Sequence, residues 1–325
     1  MTTFVKNKKR LLKTYSSIHS FTTKKKTIVT IGTFDGVHVG HKKILEKIIQ
    51  NTNNNDYESL VLTFFPHPRT VLQTGTEMKQ LNTIDEKSNL IEKAGIDNLV
   101  IHPFDKEFAS LSAEEFVKKV LVDIFNIQKI VIGYDHRFGK NRTADINDLI
   151  AFGNQYNFEV EQISAEELNE VAVSSTKIRN ALTDGNIELA NSFLGYNYAI
   201  TGMVVQGKQL GRTIGFPTAN ISINEDYKLI PNSGVYVVEC KIENQSYFGM
   251  MNIGNNPTLG ENERSIEVHY FDLNEDLYDS VLCISLLAFI RPEEKFSSVE
   301  ALKTQLEKDR DFSKKFVKDN FHTAS

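Results

Sequence analysis

The spacing of apolar positions changes near the middle of the chain. In the first half, short β-branched runs alternate with stretches of helical spacing. Residues 27–31 (TIVTI) read as a buried strand running into a glycine turn at 32–36. A helix follows over 39–50, with Ile44, Leu45, Ile48 and Ile49 on its apolar side. Strands are predicted at 59–65, 99–102, 129–133 and 158–163. Between them lie helices at 85–94, from Ser112 to Phe125, and at 145–156. Gly95 closes the first of these, and Ser112 with Glu115 forms a capping box for the second. A further helix starts at 174–182. Strands alternating with helices predict a parallel sheet covered on both faces, with ligands at the carboxyl ends of its strands.

The pattern changes at 184–196. Apolar runs at 199–205, 235–242, 247–253, 265–271 and 280–290 then follow one another, mostly across Gly, Asn or Asp turns and with no helix between them. That spacing predicts an antiparallel sheet or small barrel, closed by an amphipathic helix over 297–321. The fold class expected is α/β: an N-terminal doubly wound parallel-sheet domain plus a C-terminal small antiparallel β-barrel with a terminal helix. The expected divisions are 1–26, 27–185 and 186–325.

Composition narrows the class. A length of 325 residues suits two domains. The formal net charge of −5 argues against a nucleic-acid coat. The longest apolar runs fall short of the roughly 20 residues of a membrane span. Cys240 and Cys283 are far apart and give neither a disulfide framework nor a thiolate zinc site. A reduced, cytoplasmic, soluble protein is expected, with no nucleic-acid or membrane partner. Residues 1–26 stand apart, because they are rich in Lys, Ser and Thr and the first carboxylate is Asp35. This composition overlaps with that of a transit peptide. The plainer reading is a basic, partly disordered start.

Two regions carry candidate chemistry. The first is G-T-F-D-G-V-H-V-G-H: Gly32, Thr33, Phe34, Asp35, Gly36, then His38, Gly40 and His41. Its glycines let a phosphate approach the backbone, and the following helix aims free N–H groups at it. His38 and His41, three apart, share a face of the first turn and can donate to an anionic transition state. They could instead hold a metal, although no third ligand is evident, or be ordinary core histidines. Ser174, Ser175, Thr176 and Arg179 add hydroxyls and a guanidinium at a helix start, a clamp for pyrophosphate or a plain cap. Phe138 either stacks on a flat ring or anchors its loop.

The second region is residues 202–220. Gly207, Gly211 and Gly215 suit a lid over phosphates, and Lys208 and Arg212 supply charge. Thr218 and Asn220 fall two apart on one face of an extended segment and offer neutral oxygens to a hard cation such as Mg²⁺. An ordinary glycine-rich hairpin is the alternative. Glu267, on a strand with His269 facing the same way, can take a proton from an attacking hydroxyl.

The H-x-G-H arrangement resembles the nucleotidylyltransferase superfamily. Combined with T-F-F-P-H-P-R, G-Y-D-H-R-F-G, S-S-T-K-I-R, G-R-T-I-G-F-P-T-A-N, M-M-N-I-G-N-N-P-T and E-V-H in this order, the chain resembles the bifunctional riboflavin kinase/FAD synthetase family of bacteria over about 15–321. The resemblance implies that riboflavin and ATP give FMN in the C-terminal domain, a six-stranded barrel, and that FMN and ATP give FAD in the nucleotidylyltransferase-like N-terminal domain. It implies Glu267 as the base on the riboflavin hydroxyl, and Thr218 and Asn220 at Mg²⁺ with ATP. His38, His41, Ser175 and Arg179 would handle ATP phosphates, and Asn252 would join the cofactor-binding residues. Riboflavin, FMN, FAD and ATP are the implied partners, with a monomer or weak homo-oligomer expected. The sequence departs from the family at Asp279, where a glycine is common. Competing expectations are adenylyl transfer to another phosphate acceptor and a non-catalytic flavin-binding module.

Overall fold

The computed structural model describes residues 11–53, 56–73, 78–164, 166–167, 173–207, 210–243, 245–255 and 264–321. The chain divides into two compact units between Val173 and Ser174. Among the described residues, the first unit holds one six-stranded parallel sheet. Its strands are β1 (Lys13–Tyr15), β2 (Thr27–Ile31), β3 (Glu58–Phe64), β4 (Asn98–His102), β5 (Ile127–Gly133) and β6 (Glu159–Ile163), in the order β1-β4-β3-β2-β5-β6. Strand order reverses around β2, so the loops after β2 and β5 open at the switch point where such sheets bind ligands.

Alternation along the strands sorts the core into two layers. On one face Val29, Ile31, Leu60, Leu62 and Ile130 pack against Phe116, Leu121 and Leu149 from the helical segments 113–124 and 146–156. On the other, Ile28, Val61, Leu99 and Val131 pack against Leu45 and Ile48 of the helix Val39–Asn53 and Ile91 of the helix Ile84–Ala94. The doubly wound expectation holds. Local signals placed the helix ends: Thr83 and Glu86 close a capping box at the start of Ile84–Ala94, and Gly95 ends it at φ 90°. Past the Ser112 capping box the predicted helix runs on as a wider π-type segment over Phe116–Ile124.

One region was read differently from sequence. Residues 1–26 were set apart as a basic start, yet their described part joins the first unit. β1 adds to the sheet beside β4, with Lys13 opposite Asn98 and Tyr15 opposite Val100. Ile18 and Phe21 are each only 4% exposed and sit in the core. The lysines that dominate the composition hide a short amphipathic pattern.

The second unit opens with two helices, Ser175–Thr183 and Ile187–Leu194, and then forms a closed antiparallel barrel. Its strands are β7 (Ala199–Val205), β8 (Ala219–Ser222), β9 (Gly234–Ile242), β10 (Gln245–Asn255), β11 (Arg264–Tyr270) and β12 (Val281–Arg291), in the order β10-β11-β8-β7-β12-β9. The helix Ile187–Leu194 was not foreseen from sequence. Asn191 ties it to the barrel, donating to the Leu286 carbonyl and accepting from the Tyr198 N–H. Asp279 sits at φ 62°, a left-handed position that Asp tolerates better than most residues.

The terminal helix Val299–Phe321 packs on the barrel through Val317 and Leu306 and through one ion pair. Arg291 grips Asp309 through Nε at 3.0 Å and Nη2 at 2.8 Å, and the Asp309 side chain is 1% exposed. Removing one partner leaves the other charge buried without its counter-ion. Asp309→Ala is therefore expected to destabilise the second unit by about 3 kcal/mol, read as a lower midpoint of its unfolding in urea. Among the described residues no helix is long and apolar enough to cross a membrane.

Candidate functional sites

In the first unit, the turn between β2 and the helix Val39–Asn53 is held open by left-handed residues: Phe34 at φ 46°, Gly36 at φ 87° and Val37 at φ 34°. Two of these are not glycine, so the conformation is costly and must be imposed by contacts. Thr33 offers its carbonyl to Thr63 Oγ1 at 3.0 Å and to Lys87 Nζ at 2.9 Å. Asp35, fully buried, accepts from the Leu81 N–H at 2.8 Å. Phe34, 1% exposed, packs on the His41 ring at 5.0 Å. Phe34 and Asp35 were expected at the cofactor. Both residues are buried, the Asp35 carboxylate on the Leu81 N–H and the Phe34 ring on His41.

His38 and His41 stack with ring centroids 3.7 Å apart and planes 18° from parallel. His38 Nδ1 accepts from the His41 backbone N–H at 3.4 Å, which leaves the His38 proton on Nε2. Burial holds His38 down at about 4. Burial, with His38 and Lys87 nearby, holds His41 well below the usual histidine range. Both shifts favour the neutral ring, whose N–H can donate a hydrogen bond. His41 Nδ1 is buried with no partner among the described residues. A Cβ at Gly40 would come 3.3 Å from the His38 ring, which would have to shift by a few tenths of an ångström to admit it. No group of three or more His, Cys, Asp or Glu placed to hold a metal occurs among the described residues.

Ser174 caps the helix Ser175–Thr183, its hydroxyl accepting from Lys177 N–H at 3.3 Å. Ser175, Thr176 and Arg179 occupy the first turns of that helix. Phe138 resolves in favour of the anchor: it is 8% exposed in the core, beside Phe116 at 6.2 Å. The sequence reading missed Lys87, which is 1% exposed. Its signal was there, since Lys87 stands four residues before Ile91 on the apolar side of its helix.

In the second unit, strand register assembles the site. Glu267 on β11 lies opposite Asn220 on β8 and opposite Asn252 on β10. Thr218 Oγ1 donates to Glu267 Oε2 at 3.1 Å. Four expected residues from three strands and a loop thus form one polar group on a half-buried surface. His269 bonds through Nδ1 to the Pro217 carbonyl at 2.8 Å and so fastens the segment before Thr218 to β11. Gly207 lies against this group, where a Cβ would fall 2.1 Å from Asn220 Nδ2. Gly211 starts a tight turn, its carbonyl accepting from the Phe216 N–H at 2.8 Å, and Gly215 takes φ 87°. Arg212 is exposed on the helical turn Leu210–Thr213. Lys208 lies outside the described residues.

The first unit carries a turn with paired imidazoles and the second a barrel with a carboxylate among hydroxyl and carboxamide groups, and the comparisons with known proteins make the protein a transferase. The FAD synthetase family matches residues 20–177, and the riboflavin kinase family matches residues 194–317. The bifunctional riboflavin kinase/FMN adenylyltransferase of Listeria monocytogenes is 37% identical over 311 residues, covering 94% of this chain and 98% of its own. The Escherichia coli protein of the same description is 35% identical over 89% of this chain and 92% of its own. A crystal structure described as a macrolide-efflux protein from Streptococcus pneumoniae superposes with a TM-score of 0.85 at 32% identity, covering 94% and 99% of the two chains. The chain belongs to the bifunctional riboflavin kinase/FMN adenylyltransferase family.

Proposed function

We propose that this transferase phosphorylates riboflavin with ATP to give FMN and then adenylylates FMN with ATP to give FAD and pyrophosphate. The observation that carries the reading is the barrel register, which gathers Glu267, Asn220, Asn252 and Thr218. The kinase is assigned to 186–325 and adenylyl transfer to 27–185, a division that falls between the two helices that open the second unit.

In the kinase site, Glu267 takes the proton of the riboflavin 5′-hydroxyl as that oxygen bonds the γ-phosphorus of ATP and ADP departs. Thr218 and Asn220 supply the hard, neutral oxygens that suit Mg²⁺ held mainly by nucleotide phosphates. Bound there, Mg²⁺ would neutralise charge on the transferring phosphates. Thr218 also orients the Glu267 carboxylate, and Gly207, Arg212 and Gly215 are assigned to the phosphates, as is Lys208 from its place in the motif. In the adenylyl site, an FMN phosphate oxygen bonds the α-phosphorus of ATP and pyrophosphate leaves. His38 and His41 donate to the charge that develops, and the Gly32–Gly36 and Gly40 backbone cradles phosphate. Ser174, Ser175, Thr176 and Arg179, at the start of the second unit's first helix, offer hydroxyls and a guanidinium that suit pyrophosphate. We assign the protein to the cytoplasm, as a monomer or weak homo-oligomer.

The test is chromatography of flavins after incubation with riboflavin, ATP and Mg²⁺. FMN followed by FAD is the expected result, and both products should vanish when EDTA removes the metal. Folded protein that makes neither would overturn the reading. Gly207→Ala offers a sharper check. Its methyl displaces Asn220, so FMN formation should fall by about 10- to 100-fold while FAD formation from supplied FMN is unchanged.

A further inference from the structure

We propose that Lys87 is a positioning residue for adenylyl transfer, its buried ammonium fixing the Thr33 carbonyl and thereby the phosphate-binding turn. The inference rests on the adenylyl-transfer function proposed for this unit. Lys87 lies in the helix Ile84–Ala94, which contributes no residue to the sites assigned above. Buried lysines are rare and need a compensating partner. Here the ammonium donates to the Thr33 carbonyl at 2.9 Å and lies in the field of the Asp35 carboxylate. Asp35 in turn receives the Leu81 N–H. Both attachments reach the same short turn, which carries left-handed Phe34, Gly36 and Val37.

The geometry explains why a charge is placed there. A carbonyl bonded on its inner side by an ammonium and the Thr63 hydroxyl points away from an incoming phosphate. The same positive charge lies near enough to His41 to help keep that ring neutral. Among the described residues, the charged or titratable groups that act on or feel Lys87 are Asp35 from the turn and His41 from the following helix, with Glu86 next to it in the chain. The Glu86 carboxylate is already engaged by the Thr83 N–H.

Burial brings Lys87 down to about 8. His38 and His41 stay neutral above pH 7 and do not change charge between pH 7 and 9.5. In the full-length protein, kcat/KM for ATP in FAD formation should therefore fall as pH rises through about 8. Lys87→Arg stays protonated throughout, so its profile should lose that limb. Lys87→Met should lower kcat for FAD formation by about 100-fold, with KM for FMN unchanged. Riboflavin phosphorylation by the same molecules should stay within twofold and is the internal control.

A wild-type profile flat from pH 7 to 9.5 overturns the inference without any variant. So does a limb retained in Lys87→Arg, or Lys87→Met within threefold of wild type. Wild-type protein that makes no FAD at any pH overturns the adenylyl-transfer reading as well. FAD formation with a flat profile overturns the Lys87 assignment alone.

Discussion

Glu267→Gln is expected to reduce FMN formation by at least about 10³-fold, while FAD formation from supplied FMN continues at the wild-type rate. Glutamine keeps the shape and can still meet Thr218 Oγ1, which donates to Glu267 Oε2 at 3.1 Å. It cannot accept the hydroxyl proton. The β11 neighbours of this position, Asn220 and Asn252, remain in register because the backbone ladder is untouched. The effect should therefore appear in kcat, with little change in KM for riboflavin. The measurement is initial rates of each product by flavin chromatography on one preparation. Equal loss of both products in folded Glu267→Gln would contradict separate sites.

His41→Ala should have the converse effect. Riboflavin is converted to FMN normally, and FAD formation falls by about 10²- to 10³-fold. The stacked pair explains the magnitude. His41 holds His38 at 3.7 Å and supplies the backbone N–H that sets the His38 proton on Nε2. Loss of the ring removes one donor and the surface on which His38 stacks, while the backbone N–H to His38 Nδ1 remains. Since burial holds His38 at about 4, no recovery is expected between pH 6 and 8, where the ring stays neutral. Accumulation of FMN without FAD is the readout. Unimpaired FAD formation would move the chemistry away from this turn.

Much of this architecture was legible in the sequence because it is set locally. β2 coincides with its β-branched run, and the capping signals of Thr83 and Ser112 start helices where they stand. The H-x-G-H turn was equally visible, since its residues are neighbours in the chain. Harder to read were features set by distant partners. β1 is only three residues long and exists by pairing with β4, about 85 positions away. The inward orientation of Asp35 depends on Leu81, and that of Phe34 on the His41 ring. Glu267 was singled out from its motif, but its union with Asn220 and Asn252 depends on a register that no local pattern specifies. Lys87 had a signal in its spacing to Ile91, but its residue type spoke against burial, because a lysine in a helix ordinarily faces water.

The short strand β1 bears on how the protein behaves in solution. β1 covers the flank of β4, and Ile18 and Phe21 behind it seal part of the core. A chain begun at Thr27 would expose the unpaired backbone of β4 together with apolar surface, a template for strand addition by a second copy. Such a truncated protein should elute as dimers and larger aggregates in size-exclusion chromatography. Sixteen inconspicuous residues, 11–26, would then decide whether this half of the enzyme stays dispersed.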